Sequence, residues 1–148
     1  NNVAHSLIQG AARLGVHLTI GCPPGHEPNA DILAEGTAGA ATTGGSITVT
    51  NDPVAAVTDA RVVYTDVWAS MGQEDEAKSR NELFKPFQVT LKLLTNAAPD
   101  WLFMHCLPAH RGHEVTDAVC DHEQSIIFDQ AENRLHVQKG ILYNLLVR

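Results

Sequence analysis

The feature that most constrains the fold is a short apolar segment that ends in a proline, Trp101-Leu-Phe-Met-His-Cys-Leu-Pro108. An apolar run of this length, bounded by a proline, is typical of a fully buried strand. The residues that follow it, 109–114, are polar and irregular. In open α/β sheets, ligands bind at the carboxyl ends of the strands. The segment therefore predicts that His105 and Cys106 lie where a buried strand leaves the core, close to a binding site.

The rest of the chain alternates between helical and strand spacing. Helices are predicted at residues 3–14, 29–41, 54–60, 83–96 and 114–120, with a closing helix from about 131 to 145, and strands at 16–20, 46–50, 61–65, 101–106 and 125–128. A polar loop is expected over residues 70–81, and long loops at a carboxyl edge often act as lids. Strands separated by helices form a parallel sheet covered on both faces. The expected fold is therefore α/β, in one domain.

Composition excludes several classes of function. Hydrophobic residues make up 44% of the 148 residues and charged residues 18%, with a net charge of −7, which indicates a globular protein. No cluster of lysine and arginine offers a surface for phosphates, so neither a nucleic-acid nor a membrane partner is expected. Three cysteines without regular spacing, and no signal peptide or long apolar span, favour the cytoplasm. The chain opens on Asn1-Asn2-Val3 without a methionine, and we interpret it as part of a longer protein.

Several reactive or polar side chains follow the predicted strands. Cys22, Asp52, Asp66 and Cys106 each stand at or just after a strand end. The first helix begins near Asn2, and a helix N-terminus attracts carboxylates and phosphates. Together with the negative charge of Asp66, this arrangement suits a zwitterion such as an amino acid.

Cys106 and Asp66, and the later residue Arg134, also have purely structural interpretations. Cys106 is also explained as a small packed hydrophobe, and His105 should point to the opposite face of the strand, so the two do not form a Cys-His dyad. Asp66 is also explained as a turn cap, and Arg134 as a surface partner of nearby carboxylates. The spacing of His105, Cys106, His110 and His113 matches no regular zinc pattern, so no metal is expected. A dinucleotide site is disfavoured because no strand is followed by Gly-x-Gly-x-x-Gly.

Four segments, in order, resemble one family. They are Asn1-Asn2-Val3, Asp66-Val-Trp-Ala-Ser-Met-Gly-Gln73, His105-Cys-Leu-Pro108 and Asp129-Gln-Ala-Glu-Asn-Arg134. The chain resembles, from end to end, the C-terminal, ornithine-binding half of the ornithine carbamoyltransferases. The resemblance implies a Rossmann-like sheet with helices on both faces, from which the first strand and the carbamoyl-phosphate domain are missing. It also implies a reaction without an organic cofactor, in which the δ-amine of ornithine attacks carbamoyl phosphate to give citrulline and phosphate.

The resemblance assigns roles to individual positions. Those implied to bind ornithine are Asn2, Asp66, Ser70 and Met71, with Asp66 pairing with the ammonium and Ser70 and Met71 belonging to a lid. Cys106 is implied to lie beside the reacting amine, where the family assigns a proton-accepting cysteine. The carbonyl groups of Cys106 and Leu107 would accept from the carbamoyl NH₂, with a cis peptide between Leu107 and Pro108. Arg134 would bind carbamoyl phosphate as a charged donor.

Parts of the family pattern are not in this chain. The N-terminal half of the family carries a Ser-Thr-Arg-Thr phosphate loop and a His-Pro-x-Gln motif, and its active sites form between the subunits of a trimer. The resemblance therefore implies a homotrimer or higher oligomer for the whole enzyme, and that this chain alone does not transfer carbamoyl groups. The alternatives are a carbamoyltransferase for another amine such as putrescine, or a stand-alone module that binds a basic amino acid.

Overall fold

The framework of the protein is two pairs of parallel strands with helices packed on them. The computed structural model describes residues 2–68 and 74–147, and the side chains of all of these except 74–78. Its elements are α1 (Asn2–Leu14), β1 (His17–Gly21), α2 (Ala30–Thr43), β2 (Ser46–Thr50), α3 (Pro53–Val57), β3 (Val62–Thr65), α4 (Glu74–Phe84), a 3₁₀ turn (Lys85–Phe87), α5 (Leu91–Leu94), β4 (Leu102–His105), α6 (Asp117–Cys120) and α7 (Ile127–Leu146). The predicted α/β class is confirmed.

Both strand pairs are parallel. β1 pairs with β2, from His17 opposite Ser46 to Gly21 opposite Thr50. β3 pairs with β4, from Val62 opposite Leu102 to Thr65 opposite His105. The parallel arrangement brings the carboxyl ends of β3 and β4 side by side, which places Asp66 next to Cys106.

A cavity of about 700 Å³ lies between the two strand pairs. All five residues of β1 and all four of β3 line it. Successive side chains of a strand point to opposite faces, so a cavity lined by consecutive residues of a strand lies at its edge. The gap therefore occupies the plane of the sheet, in the position that an additional strand between β1 and β3 requires.

Helices α1 and α2 pack closely against each other. Asn29, at the start of the helix predicted over 29–41, caps α2, its side-chain oxygen accepting from the backbone N–H groups of Asp31 and Ile32. Ile8 of α1 is fully buried, and a Cβ added at Gly36 of α2 would overlap its Cγ2. The absence of a side chain at Gly36 allows this close approach.

The strand β4 lies in the larger apolar core. Phe103 is fully buried, and Ser125 pairs with it in a single parallel bridge. The buried residues of this core are Val57, Val63, Val89, Leu94, Trp101, Phe103, Val115, Val119, Cys120 and Ile127. The predicted strand is confirmed over Leu102–His105, but it is not fully buried, since Phe103 and His105 are buried whereas Leu102 is 38% exposed.

The predicted strand at residues 125–128 is wrong. Pairing with β4 stops after Ser125, because the carbonyl of Ile126 accepts from the backbone N–H of Gln130 and starts a helix. The apolar residues that indicated a strand, Ile126 to Phe128, instead lead into α7.

The segment between β3 and β4 also differs from the prediction. Residues 74–81, expected to belong to a polar loop, lie in α4. The single helix predicted over 83–96 is divided into the end of α4, the 3₁₀ turn that contains Pro86, and α5. Thr90 accounts for the restart, since its hydroxyl accepts from the N–H of Leu93 and caps α5.

The closing helix is longer than predicted and mostly exposed. Ile127, in its first turn, is 2% exposed, whereas Leu142 and Leu145 are 56% and 66% exposed. Within the described ranges, none of the helices combines the length and apolarity needed to cross a bilayer.

Candidate functional site at the ends of β3 and β4

The structure joins two of the predicted site residues directly. The Sγ atom of Cys106 donates to Oδ1 of Asp66 over 3.0 Å. The backbone N–H of Val67 donates to the same oxygen over 2.8 Å. Because Thr65 and His105 are paired in the β3–β4 ladder, this contact follows from the register of the two strands.

Cys106 is a protonated thiol in this environment. Burial raises its pKa to about 11, and the hydrogen bond to Asp66 adds to the rise, while a hydrogen bond from Tyr64 opposes it. Burial likewise raises the pKa of Tyr64 to about 12, with its contact to Cys106 contributing. Neither group is ionised near neutral pH, so both are available as hydrogen-bond donors.

The backbone after Cys106 has an unusual local conformation. The peptide between Leu107 and Pro108 is cis, as the resemblance implies, and Leu107 has a positive φ of 55°. The N–H of Leu107 donates to Nδ1 of His105 over 2.8 Å. This bond ties the turn to a side chain of β4 and fixes the direction of the backbone that carries the Cys106 and Leu107 carbonyls.

His105 and Glu114 form a fully buried pair behind this turn. Because Nδ1 of His105 accepts a hydrogen bond, its proton is on Nε2, which lies 3.3 Å from Oε1 of Glu114. Burial raises the pKa of Glu114, but the close contact with His105 and the hydrogen bond from the His110 backbone outweigh it, so this pKa lies below its ordinary value. His105 and Cys106 thus contact different partners, and they do not form a dyad, as the strand alternation predicted.

Three residues of this site were not singled out from the sequence: Tyr64, Glu114 and Gln130. The amide oxygen of Gln130 accepts from the N–H of His105 over 3.0 Å, and its nitrogen donates to the Tyr64 hydroxyl over 3.3 Å. Tyr64 stands in an apolar strand, where a hydroxyl is a signal that a polar partner is needed. Glu114, in a polar segment, gave no signal of burial.

Other predicted residues lie farther from this contact or have structural roles. Asp52 caps α3 by accepting from the N–H of Val54 over 2.8 Å, and Cys22 is buried. Asn2 begins α1, whose first turn borders the same cavity as Asp66. Arg134 is exposed on α7, one turn beyond Gln130 and so on the same side of the helix. Ser70 and Met71 lie outside the described residues.

Among the described side chains, those of residues 2–68 and 79–147, no three of His, Cys, Asp or Glu are grouped in a way that could hold a metal ion. The rings of His110 and His113 lie 5.9 Å apart, while His105 faces Glu114. These three histidines and Cys106 therefore do not converge on a common point.

Residues 1–145 match the aspartate/ornithine-binding domain that is characteristic of the aspartate and ornithine carbamoyltransferases. The chain belongs to this family. It is 54% identical to the anabolic ornithine carbamoyltransferase of Pyrococcus furiosus over 142 residues, which cover 96% of the chain and 45% of that protein. It is 53% identical to the catabolic ornithine carbamoyltransferase of Thermoplasma acidophilum over 146 residues, which cover 99% of the chain and 48% of that protein. Relatives named anabolic and catabolic are thus almost equally similar to it.

Comparison with a solved structure supports the same family. The fold superimposes on the ornithine carbamoyltransferase from Pyrococcus furiosus with a TM-score of 0.90 and 53% identity, over 95% of this chain and 45% of that one. The Rossmann-like architecture predicted from the sequence is thereby confirmed. The chain spans about half the length of the curated relatives it matches.

Proposed function

We propose that residues 1–148 form the ornithine-binding domain of an enzyme that transfers the carbamoyl group of carbamoyl phosphate to the δ-amine of ornithine. The observation that carries this proposal is the contact between Cys106 and Asp66 at the ends of β3 and β4, in a member of the carbamoyltransferase family. Relatives more than 50% identical to this chain are named ornithine carbamoyltransferases.

In this proposal Asp66 pairs with an ammonium group of ornithine. Two donors, the Cys106 thiol and the Val67 N–H, hold its Oδ1 in place. An oriented carboxylate at the rim of a cavity suits a cationic amine. Asn2, in the first turn of α1, would contact the amino-acid end of the substrate, and Ser70 and Met71 would close over it.

The carbamoyl group would lie against the turn that follows β4. The carbonyls of Cys106 and Leu107 would accept from its NH₂, and Arg134 would donate to the phosphate. In the reaction the amine nitrogen forms a bond to the carbonyl carbon, and the bond from that carbon to the phosphate oxygen breaks. The elevated pKa of Cys106 favours the departing phosphate as the group that takes the amine proton, with the thiol positioning the amine.

The partners implied by this proposal are a carbamoyl-phosphate domain and other subunits. Part of the substrate would be bound outside the 148 residues, so we expect the chain alone to produce no citrulline. The intact enzyme, a homotrimer or higher oligomer in the cytoplasm, would produce it from ornithine and carbamoyl phosphate.

The test combines ligand binding with turnover in the intact protein that carries this domain. We expect ornithine, and not putrescine, to shift amide NMR signals near Asp66 and Asn2, because putrescine has no carboxylate.

Asp66→Asn should weaken ornithine binding about tenfold or more, since it removes the charge that pairs with the ammonium. Asp59→Asn is the matched control, because Asp59 is exposed and has a positive φ that asparagine tolerates. Equal responses to both diamines, or unaltered binding by Asp66→Asn, would contradict the proposal.

A further inference from the structure

The end of β4 lacks the hydrogen-bond partner that a continued sheet would supply. In the parallel bridge to Ser125, the Phe103 N–H donates to the Gln124 carbonyl, and the Ile126 N–H donates to the Phe103 carbonyl. The next bond in such a ladder would run from the His105 N–H to the Ile126 carbonyl. That carbonyl instead accepts from the Gln130 N–H, where α7 begins.

The side chain of Gln130 replaces the missing acceptor. Its Oε1 accepts from the His105 N–H over 3.0 Å. A backbone N–H can only donate, so the amide oxygen must face His105 and the amide NH₂ must face away from it. This orientation directs Nε2 at the Tyr64 hydroxyl, 3.3 Å away.

The hydrogen bonds beyond Gln130 then run in one direction, from Gln130 towards the carboxylate of Asp66. Since Tyr64 accepts from Gln130, its own proton is available for another acceptor, and the influence of Tyr64 in lowering the pKa of Cys106 points to the Cys106 sulfur. Cys106 in turn donates to the carboxylate of Asp66. Each donor in such a chain polarises the next, which strengthens the last bond.

We propose that Gln130 and Tyr64 are positioning residues, which set the Cys106 thiol as a donor and thereby hold the Asp66 carboxylate in the orientation that receives the substrate amine. This inference rests on the proposed function for its effect on ornithine. The bonds of Gln130 to His105 and Tyr64, and of Cys106 to Asp66, are given by the geometry, and the link from Tyr64 to Cys106 is part of the proposal.

The decisive variant is Gln130→Glu. A glutamate keeps an oxygen for the His105 N–H, so the end of β4 stays satisfied. Its second oxygen can only accept, however, and would take the proton that Tyr64 otherwise gives to Cys106. Tyr64→Phe interrupts the same chain without changing residue 130. Gln130→Met removes both bonds, and Gln9→Met, on the exposed side of α1, is the matched control.

The first readout is the infrared S–H stretching band of Cys106 in the intact protein, assigned as the band that Cys106→Ala removes. We expect this band to move to higher frequency in Gln130→Glu and Tyr64→Phe, because the thiol donates more weakly to Asp66. Gln9→Met should leave it unchanged. A band that stays in place in both Gln130→Glu and Tyr64→Phe would overturn the inference.

The second readout is steady-state kinetics. We expect KM for ornithine to rise about three- to tenfold in Gln130→Glu and Tyr64→Phe, with kcat changed less than about twofold, because Asp66 would contact the substrate equally in the ground and transition states. A purely structural role would lower the yield of folded protein without changing KM, and that result would overturn the inference. If the unsubstituted protein makes no citrulline, the proposed function fails, while the infrared band still decides whether the hydrogen-bond chain exists.

Discussion

Helices α1 and α7 both carry apolar residues at helical spacing but are packed very differently. α1 has 13 residues and buries Ile8, Ala11 and Ala12. α7 has 20 residues, and of these Ile127 is buried. The sequence patterns alone do not reveal this contrast. An apolar stripe predicts that a helix has a packing surface, and only the rest of the molecule determines whether that surface is covered.

The difference lies in what faces each helix. α2 presents Gly36 and Gly39 to α1, and these glycines let the two backbones approach. α7 is held at its first turn, by Ile127 in the core and by Gln130 at the end of β4. Its later apolar side chains, including Leu142 and Leu145, are exposed in this chain. Exposed apolar surfaces of this kind are typical of contacts between proteins or domains.

The largest expected effect comes from disturbing the close packing of α1 on α2. Gly36→Ala should lower the free energy of unfolding by about 1–3 kcal/mol, because the new methyl group would overlap the buried Ile8. Gly10→Ala is the matched control, since nothing lies within 4 Å of a Cβ at that position. It should raise stability by about 0.5–1 kcal/mol through helix propensity. Urea denaturation measures both, and equal effects at the two glycines would show that the α1–α2 contact is looser than described.

A smaller effect is expected behind the end of β4, where Glu114 contacts His105. Glu114→Gln should cost about 1 kcal/mol at neutral pH, because a neutral amide interacts more weakly with His105 and with the His110 N–H. The pKa of Glu114 is lowered in the folded protein, so its contribution is present above the unfolded value of about 4.3 and is lost as the pH falls through the folded value.

Denaturation at a series of pH values tests whether the contribution of Glu114 to stability is lost as the pH falls. The free energy of unfolding of the unsubstituted chain should decrease on acidification below about pH 4, and that of Glu114→Gln should decrease less. Parallel pH profiles for the two proteins would show that Glu114 does not carry this pH dependence.

The smallest effect is expected on the exposed part of α7. Leu142→Gln should change the free energy of unfolding by less than about 0.5 kcal/mol, because the side chain is already 56% exposed. Ile127→Val, in the anchored turn of the same helix, should cost about 0.5–1.5 kcal/mol. If Leu142→Gln cost more than Ile127→Val, the distinction between the two ends of α7 would be lost. Leu142→Gln should also reduce any self-association of the chain, as measured by sedimentation.

Much of the fold was predictable because it depends on local patterns. The strand that follows Trp101, the cap at Asn29 and the helix start at Pro53 each follow from the sequence in their neighbourhood. The juxtaposition of Asp66 and Cys106 was also foreseen, because parallel strands bring their carboxyl ends to one edge. Four short motifs in order were sufficient to indicate the family.

Tertiary structure decided the remaining features. Residues 126–128 have the composition of a strand, but the competition for the Ile126 carbonyl is won by the N–H of Gln130, so a helix forms there. The burial of Glu114 beside His105 depends on how a polar segment folds back over β4. Gln130 and Tyr64, 66 positions apart in sequence, meet because β3, β4 and the start of α7 are neighbours in space. The sequence determined which elements form and which side chains stand at their ends, while long-range packing determined which of those side chains meet.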